Sequence, residues 1–316
     1  MQAIAEKLLP EYGLESAKLQ LLNHGFNTTF EIDSPKVGKF ALRINTNSKK
    51  SKNEVQAEIQ LLLALSQESE IDAPIPLPTL SGEYVSAIDH EELGTLYAVC
   101  NGWLEGDVVG SSPNDDQLFE LGALMARLHR FTETWRPSNP AKLPLINKTL
   151  LNSSDNLSPN LGGHINPNLH KTVLALLEDC NQVFLELGKR FELKPLHADL
   201  HTYNLMWNRN RLSVFDFDDA GIGYEIQDFA NTIYYLRKDK SREQNLFKGY
   251  ASVRNVPQYT AEEFELLLVG RHLVLLNDLI TLNTAEEIEF IPEFIEWTEM
   301  SLAHFKKTGI FILFGD

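Results

Sequence analysis

Apolar residues change their period near residue 113. Before it they recur every second position in short runs, with one stretch at helical spacing; after it the spacing is helical almost throughout. LQLLNHGFNTTFEID (19–33) reads as strand, Gly-Asn turn and strand, and KFALRIN (39–45) as a third strand. NEVQAEIQLLLALSQ (53–67) reads as a helix. The proline-rich DAPIPLPTL then leads into two more strands, GEYVSAID and TLYAVCNG. DDQLFELGALMARLHRFT (115–132) is an amphipathic helix entered through Pro113 and the N-cap candidate Asn114, and HKTVLALLEDCNQVFLELGKRF (170–191) is a second, stopped before Pro195. Between them, residues 138–168 are rich in Pro, Asn, Ser and Gly and read as an irregular insertion. NLMW and RLSVFDF form a hairpin around the turn NRN, and residues 226–306 carry three or four helices.

Composition narrows the function classes. A chain of 316 residues can bury one large core or two modest ones. Its formal charge of -16 repels nucleic acid and anionic lipid, and the one basic cluster, NSKKSK (47–52), reads as a solvated loop. Cys100 and Cys180 lie far apart with no zinc spacing, which fits buried thiols in a reducing compartment. The start, MQAIAEKLLPEYGL, lacks the continuous apolar core of a secretory signal, so a cytoplasmic location is expected. The most apolar stretch, LLLVGRHLVLLNDLI (266–280), is broken by Arg271, His272 and Asp278, short of the roughly 18 residues a membrane span requires.

The chemistry concentrates in HADLHTYNLMWNRNRLSVFDFDD (197–219). Asp199 and Asn204 precede the hairpin and Asp216 and Asp218 follow it, so antiparallel pairing returns Asp216 toward Asn204. A carboxylate and an amide oxygen suit magnesium, which keeps waters and takes further ligands from nucleotide phosphates. Asp199 stays free to face a substrate hydroxyl. Apolar neighbours on both sides, PLHADL and SVFDF, place these acids near the core, where an unpaired charge is costly unless something compensates it. That pattern points to phosphoryl transfer.

The loop HADLHTYN, the segment VFDFDDAGIGYEIQDFA and the helix ending LMARLH together resemble the aminoglycoside phosphotransferase and choline kinase-like family, as does the order of elements along nearly the whole chain. The resemblance implies an α+β, bilobal protein kinase-like fold, with a small β-sheet N-terminal lobe carrying one main helix and a larger, mainly helical C-terminal lobe. It sets a nucleotide lobe at 1–101, a hinge at 102–106, and a catalytic and acceptor lobe at 107–316. The implied reaction is ATP- and Mg²⁺-dependent transfer of a γ-phosphate to a hydroxyl of a small molecule such as an aminoglycoside, amino alcohol or homoserine; the acidic surface leans toward a cationic acceptor. Asp199 becomes the catalytic base or orienter, Asn204 and Asp216 the metal ligands, and Asp218 a second-metal or support residue. His197 and His201 brace the loop, and Asp228 supports its backbone. NHGFNTTFEI, with Asn27, resembles the phosphate-covering turn. Arg43 stands where better-known members carry lysine, with Glu58 as its helix partner, and backbone from Gly102 to Leu104 would meet adenine.

Other readings stay open. His197, Asp199 and His201 alternate and could bind zinc or iron as in a metal-dependent hydrolase. Only nine residues separate Asp218 from Asp228, too few for a long activation segment, yet a serine/threonine protein kinase of the bacterial stress-response type resembles the same family. Arg43 admits a non-catalytic nucleotide-binding protein. Among bland readings, Glu58 could belong to an acidic stripe with Glu54, Asp219 reads as a solvated or capping acid, His129 as interior, and Tyr234 and Tyr235, which could line an acceptor pocket, read as core packing.

Overall fold

The computed structural model describes residues 1–316 apart from 49, 160–164, 239, 282–284 and 316. In chain order the elements are α1 (Gln2–Leu8), β1 (Lys18–His24), β2 (Thr28–Ser34), β3 (Gly38–Ile44), α2 (Lys52–Leu65), β4 (Pro76–Leu77), β5 (Ser86–His90), β6 (Gly94–Gly102), β7 (Asp107–Val108), α3 (Asp115–Thr132), α4 (Pro167–Gly188), β8 (Lys194–Leu196), β9 (Leu205–Asn208), β10 (Arg211–Val214), β11 (Gly221–Gly223), α5 (Ile226–Tyr234), α6 (Glu243–Ala251), α7 (Ala261–Leu279) and α8 (Ala285–Thr308). Two compact units emerge. One comprises Met1–Val108, Arg136–Leu143 and Leu205–Asp218, the other Val109–Trp135, Pro144–Asn204 and Asp219–Asp316.

The first unit is an antiparallel sheet in the order β1-β2-β3-β6-β4, with β5 also on β6. Period-two alternation sorts β3: Leu42 and Ile44 pack with Phe30, Ile32 and Cys100 on the face that α1 covers, so Arg43 projects from the other face. There Val55 and Ile59 of α2 pack on Val99, the cross-strand partner of Arg43. Glu58, three residues after Val55, shares that helix face. A capping box between Ser51 and Glu54 fixes where α2 begins. β10, β9 and β7 form a separate small sheet.

The second unit is helical around the two-stranded sheet β8–β11. α3 and α6 cross so closely that a Cβ on Gly122 would overlap the Leu246 carbonyl, and one on Gly249 the Phe119 carbonyl. Only glycine permits that approach. α7 buries Arg271, His272 and Asn277 among Leu267, Leu268, Leu273 and Leu276, which explains the polar interruptions of its apolar run. Among the described residues no helix is long and apolar enough to cross a membrane.

Among the described residues from 226 onward there are four α-helices, within the expected number. The start of the chain adds a helix that its mixed pattern did not announce. Among its described residues the 138–168 stretch holds no helix until α4 begins, and residues 160–164 lie outside the described residues.

Candidate active site

The loop from His197 to Asn204 leaves β8, whose pairing of Leu196 with Gly221 anchors its start. Ala198 sits in the left-handed region at φ 66°, which costs an alanine about 1–2 kcal/mol. α5 holds it there. Asp228 Oδ1 accepts the Ala198 N–H at 2.8 Å, Asn231 Nδ2 donates to the Ala198 carbonyl, and the Thr232 hydroxyl donates to the Leu200 carbonyl. Asp228 Oδ2 in turn meets His129 Nε2 at 2.9 Å, while His129 Nδ1 meets the Tyr250 hydroxyl at 3.0 Å. Asp228 and His129 are each 1% exposed, so the loop rests on a buried polar network reaching back to α3.

Clamped this way, the loop presents Asp199 with both oxygens engaged. Arg271 Nη2 of α7 donates to Oδ1 at 2.5 Å and also to the Tyr235 hydroxyl at 3.0 Å. On the other oxygen, His201 Nε2 lies 3.1 Å away and Asn204 Nδ2 donates at 3.1 Å. His201 Nδ1 accepts the Tyr203 N–H, which sets the tautomer with its proton on Nε2, facing Asp199. Burial would raise the Asp199 pKa, but the Arg271 guanidinium, and after it His201, hold it well below the usual carboxylate range.

His197 Nδ1 accepts the backbone N–H of Asp199 instead of facing a shared cation. With Asp199 Oδ1 tied to Arg271, the His197, Asp199 and His201 side chains do not converge as a zinc or iron hydrolase would need. Among the described residues no group of three His, Cys, Asp or Glu gathers as a metal centre.

In the first unit, Arg43 and Glu58 form a buried bidentate pair, Nη1 to Oε1 at 2.8 Å and Nη2 to Oε2 at 2.6 Å. Arg43 also lies 3.8 Å from Asp216 and 3.5 Å from Asp218. Asp218 receives Asn27 Nδ2 at 2.9 Å and Asn45 Nδ2 at 3.3 Å, and pairs with Lys50 Nζ at 3.1 Å. Burial opposes its charge, yet Arg43, Lys50 and the Asn27 bond carry its pKa down to about 2. Asp216 is exposed, with its backbone at φ 60°. β9 and β10 pair Leu205 with Val214, so Asn204 and Asp216 flank the same end of the hairpin. At the expected hinge, the Gly102 N–H is taken by the Ile75 carbonyl at 2.8 Å, and Leu104 is partly exposed.

Four residues of these clusters fall outside the sequence-based expectation. Arg271 and Tyr235 belong to the Asp199 network, and Lys50 and Asn45 to the Asp218 cluster. The expected solvated loop at 47–52 is corrected at Lys50, whose side chain is 16% exposed because it reaches back to Asp218; Lys49 lies outside the described residues. Tyr234 is core as expected, its hydroxyl on His272, whereas Tyr235 reaches Arg271. A charged residue in the middle of an apolar helical run was the available signal for Arg271. Nothing local distinguished Lys50.

The sequence from residue 18 to 260 matches the phosphotransferase enzyme family. Amicoumacin kinase of Bacillus subtilis (strain 168) is 23% identical over 232 residues; the match takes in 67% of this chain and 66% of that protein, just under two thirds of its length. Among solved structures, a microcompartment-associated aminopropanol kinase superposes with a TM-score of 0.83 at 20% identity, covering 98% of each chain. An amicoumacin kinase in complex with AMP-PNP, Ca²⁺ and Ami gives 0.75 at 20% identity, covering 95% of this chain and 93% of that one. At such identities the likeness speaks for the fold, a mixed α+β arrangement of the protein kinase-like phosphotransferases. With its matched segment spanning the Gly25 turn, the Asp199 loop and the Asp216 hairpin, the chain belongs to the phosphotransferase enzyme family.

Proposed function

We propose that this protein is a small-molecule kinase, moving the γ-phosphate of ATP to a hydroxyl of an amino alcohol, aminoglycoside or homoserine-like acceptor. The observation that carries this reading is Asp199: a carboxylate fixed through both oxygens on a loop whose backbone α5 clamps. In this reading residues 1–101 bind the nucleotide, 102–106 act as the hinge with Gly102 to Leu104 beside adenine, and 107–316 carry catalysis and the acceptor.

The side chains fit a hard divalent cation. Asn204 commits its amide nitrogen to Asp199, which keeps Oδ1 available as an acceptor, and Asp216 and Asp218 add carboxylate oxygens without thiol or imidazole. Asn204, Asp216 and Asp218 would hold Mg²⁺, whose chemistry is to neutralise phosphate charge. Asp199 orients the acceptor hydroxyl in line with the γ-phosphorus. Its low proton affinity suits a loose transition state, in which the hydroxyl proton passes to Asp199 late, as the new P–O bond forms and the bond to ADP breaks. Arg271 and His201 keep the carboxylate aimed while that happens.

Support for a small acceptor comes from the relatives, an aminopropanol kinase and two amicoumacin kinases, and a formal charge of -16 favours a cationic one. The test is a panel of amino alcohols, aminoglycosides, sugars and hydroxy amino acids, assayed for ADP release with and without Mg²⁺. Metal-dependent turnover on at least one small hydroxyl compound is expected. Phosphorylation of protein serine or threonine alone would overturn the acceptor class, and nucleotide binding without turnover on any acceptor would overturn the enzyme.

A further inference from the structure

The sequence positions Arg43 as the cation for the nucleotide's phosphates, in place of the usual lysine. Its geometry argues for another role. Both terminal nitrogens are fixed end-on by the Glu58 carboxylate, Nε is buried with no hydrogen-bond partner among the described residues, and the residue is 8% exposed. A guanidinium held in a rigid buried fork has little reach. Lys50 differs on each count. It sits on the loop between β3 and α2, and its compact ammonium carries three rotatable donors on a flexible four-carbon stem.

That loop is stitched to the turn between β1 and β2. The Asn47 N–H and the Thr46 hydroxyl both donate to the Phe26 carbonyl, and Asn47 Nδ2 donates to the Gly25 carbonyl. Asn27 of the same turn and Asn45 at the start of the loop both donate to Asp218. Turn, loop and the segment after β10 therefore converge on one carboxylate, and Lys50 closes the ring at 3.1 Å. In this cluster, among the described residues, Arg43 and Lys50 face Glu58, Asp216 and Asp218. A divalent ion arriving on Asp216 and Asp218 would displace the more mobile cation.

We propose that Lys50 is the lysine that grips the nucleotide's phosphates, held on Asp218 until metal and nucleotide release it, and that Arg43 is a structural partner of Glu58. This rests on the nucleotide-binding reading above. Calorimetry on the full chain with Mg·AMP-PNP and, separately, adenosine tests it. In Lys50→Met, Mg·AMP-PNP binding is expected to weaken about ten- to hundredfold, the loss of one charge-assisted hydrogen-bond set. Adenosine affinity stays within about twofold, and Lys50→Arg recovers most of the loss. Arg43→Lys should lower the melting temperature more than the phosphate affinity. Mn²⁺ alone should bind Lys50→Met at least as tightly as wild type, because a competitor has left Asp218. Wild-type affinity of Lys50→Met for Mg·AMP-PNP overturns the assignment, as does an equal loss for adenosine. Failure of the wild-type protein to bind AMP-PNP at all overturns the nucleotide reading itself, and this assignment with it.

Discussion

Asp199 and Asp218 are two partly buried aspartates kept ionised by different means. Asp199 is held by Arg271, a buried guanidinium whose second partner, Tyr235, fixes it in turn. Asp218 is held by two amides, a rigid arginine at 3.5 Å and a lysine on a loop. Burial works against the charge in both, and neighbouring cations win. The difference lies in what can leave. A doubly anchored guanidinium preserves direction, which an orienting carboxylate needs. A flexible ammonium lends charge that another cation can replace, which suits a metal ligand.

Replacing the carboxylates separates these roles most sharply. Asp199→Asn is expected to lower kcat by about 10²–10⁴-fold while nucleotide affinity holds, and Asp218→Asn to weaken Mg²⁺-dependent nucleotide binding as well as turnover. Calorimetry beside steady-state kinetics checks it; a parallel loss of nucleotide binding in both variants would erase the distinction.

Next in size is Arg271→Met. Without the guanidinium, burial dominates and the Asp199 pKa rises. The protonated acid cannot orient a hydroxyl, so activity falls as pH drops through the new pKa. We expect kcat reduced about ten- to hundredfold at pH 7 and an acid limb shifted upward in the pH–rate profile. An unchanged profile would show that Arg271 does not set the charge of Asp199.

Smaller, and confined to stability, is the effect of His272, beside Arg271 on α7. Its ring is fully buried between the Tyr234 hydroxyl at 2.8 Å, the Thr298 hydroxyl at 2.8 Å and Phe294, and burial pushes its pKa down to about 3. The unfolded chain therefore takes up the proton first. This contribution is full above the ordinary value near 6.5 and drains as pH falls toward 3, by at most about 1.4 kcal/mol per pH unit. The Asp218 contribution, with a depressed carboxylate pKa, is lost only as pH falls from about 4 through about 2. Melting curves between pH 7 and 5 should thus show a slope that His272→Gln flattens; equal slopes would discount the buried ring.

The smallest change expected is Ala198→Gly. Glycine removes the cost of φ 66° but adds freedom to the unfolded chain, so stability should move by no more than about 1 kcal/mol. Since Asp228 and Asn231 still hold the backbone, kcat should stay within about threefold. A large kcat loss would mean that the alanine side chain itself shapes the Asp199 loop.

Much of this was legible before folding. The period-two runs announced the main strands of the first unit, the capping residue Asn114 announced α3, and the spacing within HADLHTYN and DFDD located both aspartates. Arg43 and Glu58 were paired through the family resemblance, and their buried ion pair lies on the faces that strand alternation and helical spacing allow. Lys50 was misread because its own segment is polar and carries no apolar pattern, so composition described it as solvated. Arg271 was visible only as an interruption, 72 residues beyond the acid it holds.

Local order along the chain therefore determined the elements and the two acidic motifs, since hydrophobic period and hairpin register act over a few residues. Tertiary structure alone decided that Arg271 serves Asp199 and that Lys50 serves Asp218. Charge pairing between distant segments depends on where buried side chains end, and no short-range pattern encodes that distance.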